Sequence, residues 1–361
     1  MLSQAEIDAL PTILDVVERL SKMENDSLLR HQRTVFPEDV FQDEGRYAFV
    51  SETWNRDVVR LMPVSQTPFT YYRGQSRFYT PCVPSLFRKK GNGEIPNGTD
   101  IAYNRLKTCE FEMLLATHPV FCELSHHISV NPVALAQHYG LTTEYLDITN
   151  SKWVAAFFAS TRYDYESDTY HPVGRDYEEG YGVMYISKPY EAGGATDGFF
   201  SKNVVIGYQY FERPTKQSSF GYKMQMGEDF NESPYFERVF FRHDLEASKL
   251  VYDMSYRQRR FIPRDCLSRL TRQIAESNEV TRRALERCLL MCYWDKDMAY
   301  LEEVCAGKGL VVREDNEPVA RFDKEELEAD WKAWNEYGRA DLQMRILPIR
   351  AMTMVRGGMR E

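Results

Sequence analysis

The stretch 131–160, NPVALAQHYGLTTEYLDITNSKWVAAFFAS, constrains this chain more than any other because it carries its own helix and strand punctuation. Asn131 is a favourable N-cap, Pro132 suits the first helical position and Gly140 supplies a left-handed stop. The short helix this predicts sets Ala134, Gln137 and His138 on one face. Residues 145 to 149 alternate apolar and polar, which predicts a strand. Thr149 or Asn150 then caps a second helix whose core-facing residues are Trp153, Val154, Ala156, Phe157 and Phe158. Asp147 and Thr149 are thereby delivered to a helix N-terminus, where unpaired N–H groups and the helix dipole favour an anion. Two readings stay open at this point: a holder for a phosphate-bearing ligand, or plain capping of the helix.

Hydrophobic residues make up 43% of the 361 and charged residues 27%, enough for a packed core. The 23 Tyr and 20 Phe favour strands and layered packing over a pure helical bundle. A net charge of −9 argues against a chain that grips nucleic acid over its whole surface. The one basic cluster, Arg257, Arg259, Arg260 and Arg264, reads first as a solvated face, with contact to nucleic-acid phosphates as the less favoured alternative. Seven cysteines without paired spacing point to reduced thiols and a cytoplasmic setting. Cys288 and Cys292, four apart in an apolar helical run, read as packing; His118, His126 and His127 lack metal-ligand spacing, so no metal is expected. Glu6 and Asp8 stand where a signal peptide would be basic, and no apolar run reaches 18 residues, so no membrane segment is expected. Neither GxxxxGK[ST] nor GxGxxG after a strand occurs, which disfavours a P-loop or Rossmann site.

Along the chain, an amphipathic helix is predicted from Ser3 to about residue 23 with a break near Pro11, followed by a plain connecting segment over 24–60. Strands are predicted for 69–75, 181–186, 203–211, 222–227 and 238–242, and a helix for 101–116. A loop covers 89–100, another 193–198, and 163–180 reads as a polar surface excursion. Helical spacing takes over from Pro263. The fold class is therefore α+β: an N-terminal helical extension (1–60), a mixed central domain (61–270) and a C-terminal helical region (271–361) packed on it.

In order, Tyr72-Arg73-Gly74-Gln75, Pro84-Ser85-Leu86-Phe87-Arg88, Gln137-His138-Tyr139-Gly140-Leu141 with Thr143, and Leu146-Asp147 with Thr149 resemble the FRG domain family over about residues 65–270. Glu144 stands where the family pattern is basic, and Ile148 where it has Trp. A weaker resemblance links the chain to the ADP-ribosyltransferase fold, a small twisted, mostly antiparallel sheet. Arg73 matches its early strand arginine, Asp147-Ile148-Thr149 its strand-to-helix element, and Gln225-Met226-Gly227 its late strand. Gly227 occupies the place of the catalytic Glu, with Glu228 one residue on, which along a strand means the opposite face. The resemblance implies NAD as co-substrate, in ADP-ribosyl transfer or NAD hydrolysis, and no metal. It assigns catalysis to Asp147, Gln225 and Glu228, and cofactor binding to Arg73, Gly74, Gln75, His138, Tyr139 and Thr149. The family's neighbourhood implies a bacterial setting in phage defence or as a toxin. The alternative is a non-catalytic module that binds a nucleotide, nucleic acid or protein.

Overall fold

Pro11 divides the N-terminal segment, as its missing N–H and fixed φ require. The computed structural model describes residues 2–30, 47–51, 59–63, 70–187, 202–263 and 265–346. It has two helices there, α1 (Gln4–Ala9) and α2 (Ile13–Arg30), and Ser3 closes a capping box with Glu6 on the first. Ile13, Val16, Val17 and Leu20 of α2 are buried. Within 24–60 the chain departs from a plain connector. Strands β1 (Tyr47–Ser51) and β2 (Val59–Pro63) pair antiparallel, since Tyr47 and Leu61 find apolar partners in Val120 and Leu124 far along the chain.

β3 (Tyr72–Gln75) is followed by α3 (Gly98–Leu115), α4 (Pro119–Ser125) and α5 (Pro132–His138). Then come β4 (Tyr145–Thr149), α6 (Lys152–Ser160), β5 (Thr161–Asp164), β6 (Thr169–Pro172) and β7 (Tyr181–Ser187). β5 and β6 form a hairpin inside the expected surface excursion, with Tyr163 opposite Tyr170. β8 (Asn203–Val205), α7 (Glu212–Lys216), β9 (Ser219–Lys223), β10 (Phe236–Arg242) and α8 (Leu245–Met254) complete the central part. β8 is shorter than the strand predicted for 203–211, and Gly207 follows it with φ of 94°. Phe69 and the loop 193–198 lie outside the described residues.

The main sheet has the order β10-β7-β3-β4-β9-β8, every neighbouring pair antiparallel. Side chains alternate across it. Tyr72, Met184 and Ile186 pack beneath α6, α2 and α8, while Leu146, Ile148, Val183, Tyr185 and Phe220 fill a second core on the opposite face. β10 is an edge strand, half-exposed along its length, and not the buried strand its apolar run suggests.

The C-terminal part comprises α9 (Cys266–Glu276), β11 (Glu279–Thr281), α10 (Arg282–Cys292), α11 (Met298–Lys308), β12 (Val311–Arg313), α12 (Lys324–Ala333) and α13 (Arg339–Arg345). Leu106 and Cys109 of α3 pack with Leu285, Cys288, Leu301 and Cys305, so α3 belongs to this core as much as to the central one. Glu110 on the same helix is fully buried; its carboxylate accepts from the backbone N and hydroxyl of Thr281 and from Val319 N. No helix among the described residues is long and apolar enough to cross a membrane.

Candidate functional site

β3 and β4 pair at one position, Tyr72 opposite Thr149. Strand parity then fixes the neighbours: Asp147 shares the face of Thr149 and Tyr72, and Arg73 leaves on the other, beside Tyr185. The two side chains expected to meet therefore start on opposite faces. What joins them is the gap between the strands. Arg73 Nη1 donates to the backbone oxygen of Asp147 at 2.7 Å, supplying a donor to the strand edge, while its Nε is buried without a partner.

Gly74 follows for a steric reason. A Cβ there would lie 1.8 Å from the carbonyl oxygen of Ala155 and 2.9 Å from Ala159 Cβ, so α6 rests directly on β3. Gln75 is buried, its Oε1 facing the Cys82 thiol at 3.5 Å. Gln75 is thus closed off from a ligand, contrary to the expectation, whereas Gly74 keeps partial exposure beside Arg73.

On the other side of the gap, Asn131 caps α5 through a bond from Ala134 N at 2.9 Å, and Gly140 ends the turn with φ of 92°. α5 thus carries His138 to Asp147, with Nε2 3.4 Å from Oδ1. The imidazole side chain is 3% exposed and the carboxylate 43%. Gln217 sets the ring: its Nε2 donates to Phe261 O at 3.0 Å, leaving Oε1 to accept from His138 Nδ1 at 3.2 Å. His138 Nε2 then faces the Asp147 carboxylate, and neither of the two contacting atoms has another hydrogen-bond partner among the described residues.

Thr149 is engaged elsewhere. Its hydroxyl donates to Gln217 O at 2.6 Å and accepts from Ser151 N at 3.0 Å. The N-cap of α6 is Ser151, whose Oγ accepts from Val154 N at 3.4 Å, and not Thr149 or Asn150, because β4 continues through Thr149 in its pairing with Ser219. Tyr139 points away: its buried hydroxyl donates to Asp265 Oδ2 at 2.7 Å beneath the Arg213 guanidinium. Burial first, then the Asp265 charge, raises its pKa well above the ordinary phenol value. Gln225 and Glu228 lie past the end of β9 in a turn through Gly227, whose φ is 89°. Glu228 accepts from Gln225 N at 2.8 Å and is ion-paired with Lys202. Asp147 lies opposite Gly221, so Gln225 is four residues beyond it, about 13 Å at strand rise. The structure does not bring these two to Arg73 and Asp147, since the turn carries them off the end of the sheet.

Arg88 is an exposed residue that residue patterns alone left unassigned. It closes the Pro84–Arg88 motif, and its pKa is lowered by partial enclosure and then by the charge of Arg73, with Asp147 acting in the opposite sense. Both charges are thus within electrostatic reach of Arg88. Its Nε donates to Val83 O at 3.4 Å; among the described residues no carboxylate forms an ion pair with Arg73 or Arg88. Gln217, which orients His138, had no sequence signal at all. Of the basic cluster, Arg257 has φ of 52° and a highly exposed side chain 3.9 Å from Asp253 Oδ1, Arg260 lies over the Phe261 ring, and Arg264 is outside the described residues.

Residues 69–168 match the FRG domain family. The chain carries an FRG domain. The match takes in β3, α3 to α6, β4 and β5, and so contains Arg73, Arg88, His138 and Asp147 together. β7 and β9, which complete the sheet around the FRG motif, lie beyond it. No curated protein and no solved structure matches the chain.

Proposed function

We propose that the gap between β3 and β4 of the FRG domain is a nucleotide site and that NAD is its substrate. The observation that carries this reading is two guanidiniums without a carboxylate partner among the described residues, beside a half-exposed carboxylate backed by an imidazole. Arg73 and Arg88 supply guanidinium charge and their remaining N–H donors for the pyrophosphate oxygens. Asp147 supplies negative charge where the ribose becomes oxocarbenium-like as the nicotinamide bond breaks. In that step the C–N electron pair leaves with the pyridine ring, neutralising it, and a water or acceptor hydroxyl bonds to the ribose carbon and gives up its proton. His138 is a positioning residue that acts through Asp147, and Gln217 acts through His138.

A second reading has its own support. Glu228, the carboxylate that the transferase resemblance puts at the ribose, is tied to Lys202 in a turn, which favours a module that binds without turnover. Two measurements on the purified chain separate the readings: calorimetry with NAD and ADP-ribose, and nicotinamide release from NAD. Arg73→Ala should weaken binding by roughly tenfold or more, the loss of a charge-assisted hydrogen bond. Asp147→Asn should leave binding largely intact and cut release by roughly a hundredfold. Binding with no release above that of Asp147→Asn supports the module, and no binding of either ligand removes the nucleotide reading.

A further inference from the structure

A cavity of about 330 Å³ opens at the other end of α5, beside Pro132. It is separate from the gap at His138, about 9 Å along the helix at 1.5 Å per residue. Leu115, Phe121, Leu124 and Ile128 make apolar walls, and the Arg287–Glu112 ion pair, 2.9 Å apart, stands in its lining. Burial pushes the Glu112 carboxyl up against the opposing pull of Arg287. Gln209, also in the lining, is 1% exposed, and neither its Nε2 nor its Oε1 has a hydrogen-bond partner.

A buried carboxamide with both ends unpaired is destabilising, so its presence here needs an explanation. The terminal torsion of glutamine is broad, which lets the amide turn toward partners that a bound molecule offers. It would then present one donor and one acceptor side by side, facing the apolar walls, in a lining that also holds Arg60, Ser125 and Ser129. Binding sites for small molecules have this composition and a volume from about 300 Å³ upward.

We infer that this cavity binds a planar heteroaromatic molecule carrying a neighbouring hydrogen-bond donor and acceptor, the class to which the nucleobases belong, with Gln209 as the reading residue. The walls take the flat apolar faces, and the carboxamide pairs with the polar edge. The inference does not rest on the NAD reading, and it survives if that reading fails.

The test is calorimetry on the full chain with uracil, 2-pyridone and adenine, and with toluene as a shape control lacking the polar edge. Expected is saturable binding of at least one heteroaromatic, weakened about tenfold or more by Gln209→Leu while toluene binding is retained. Ile128→Phe narrows the cavity without touching the amide and should weaken all the probes, which keeps the test decisive if Gln209→Leu folds poorly. The proposal is overturned if no heteroaromatic binds the wild-type chain, as expected of a cavity that holds only water. It is equally overturned if Gln209→Leu binds them as well as wild type does.

Discussion

Two glycines separate the two reasons a chain needs that residue. Gly227 has φ of 89° and open space around the position of a Cβ, so Gly227→Ala should cost only the left-handed strain, about 1–2 kcal/mol. Gly74 has no positive φ; its reason is the Ala155 carbonyl, 1.8 Å from where a Cβ would stand. Gly74→Ala should force α6 off β3 and cost roughly 3 kcal/mol or more, at the upper end of overpacking penalties. Urea unfolding of both variants measures this, and equal stabilities would mean that α6 does not rest on the strand. The Arg-Gly motif is therefore one residue that reaches into the gap and one that lets a helix close over it. The resemblance set Gly74 against a ligand, but the residue type could not say that the neighbour is protein. A glycine records only that something is near.

At the scale of elements, α3 and α10 meet through thiols. Hydrogen bonding with the thiols of Cys109 and Cys292, and then burial, raise the pKa of Cys288; exposed Cys292, receiving the Cys288 hydrogen bond with Arg105 nearby, is pushed down to about 7. Cys292 should therefore react with iodoacetamide near neutral pH ahead of the other six cysteines, and Cys288→Ala should slow it several-fold by restoring an ordinary thiol. Peptide mapping after brief alkylation at pH 7 reads this, and labelling spread evenly over the thiols would refute it. Helical spacing identified the pair as residues of one helix face. That one thiol is sealed and the other open depends on how closely α3 covers α10. Tertiary cover likewise turned the expected excursion after Tyr163 into the β5–β6 hairpin, whose Tyr170 packs on Phe157 of α6.

For the whole molecule, charges link segments far apart in sequence. Asp100 joins the capping box at the start of α3 and is held by Lys90 and by Lys308 at the end of α11. Burial alone would raise its pKa; the bonds from Lys308, Lys90 and Asn97 outweigh that and hold it well below the usual carboxylate range. A depressed folded-state pKa stabilises above the unfolded value, about 4, and that contribution is lost as pH falls below it. Lys308→Met should therefore lower the urea midpoint at pH 7, and the gap to wild type should shrink below about pH 4. A gap that stays constant down to pH 3 would show that the ion pair does not contribute. The link fastens the C-terminal helices to the helix that enters the FRG motif region.

The sequence by itself determined the class of the fold, the order of most elements and the run of motifs that locates β3, α5, β4 and α6. Caps, turn residues and periodicity are local, so a short window contains them. Only the tertiary structure decided that Arg73 meets the backbone of Asp147 and not its carboxylate, that Gln217 orients His138, and that Gln225 and Glu228 stand off the end of the sheet. Those facts depend on strand pairing and parity between segments up to about 150 residues apart, where a shift of one residue reverses the face. No window of sequence contains that register.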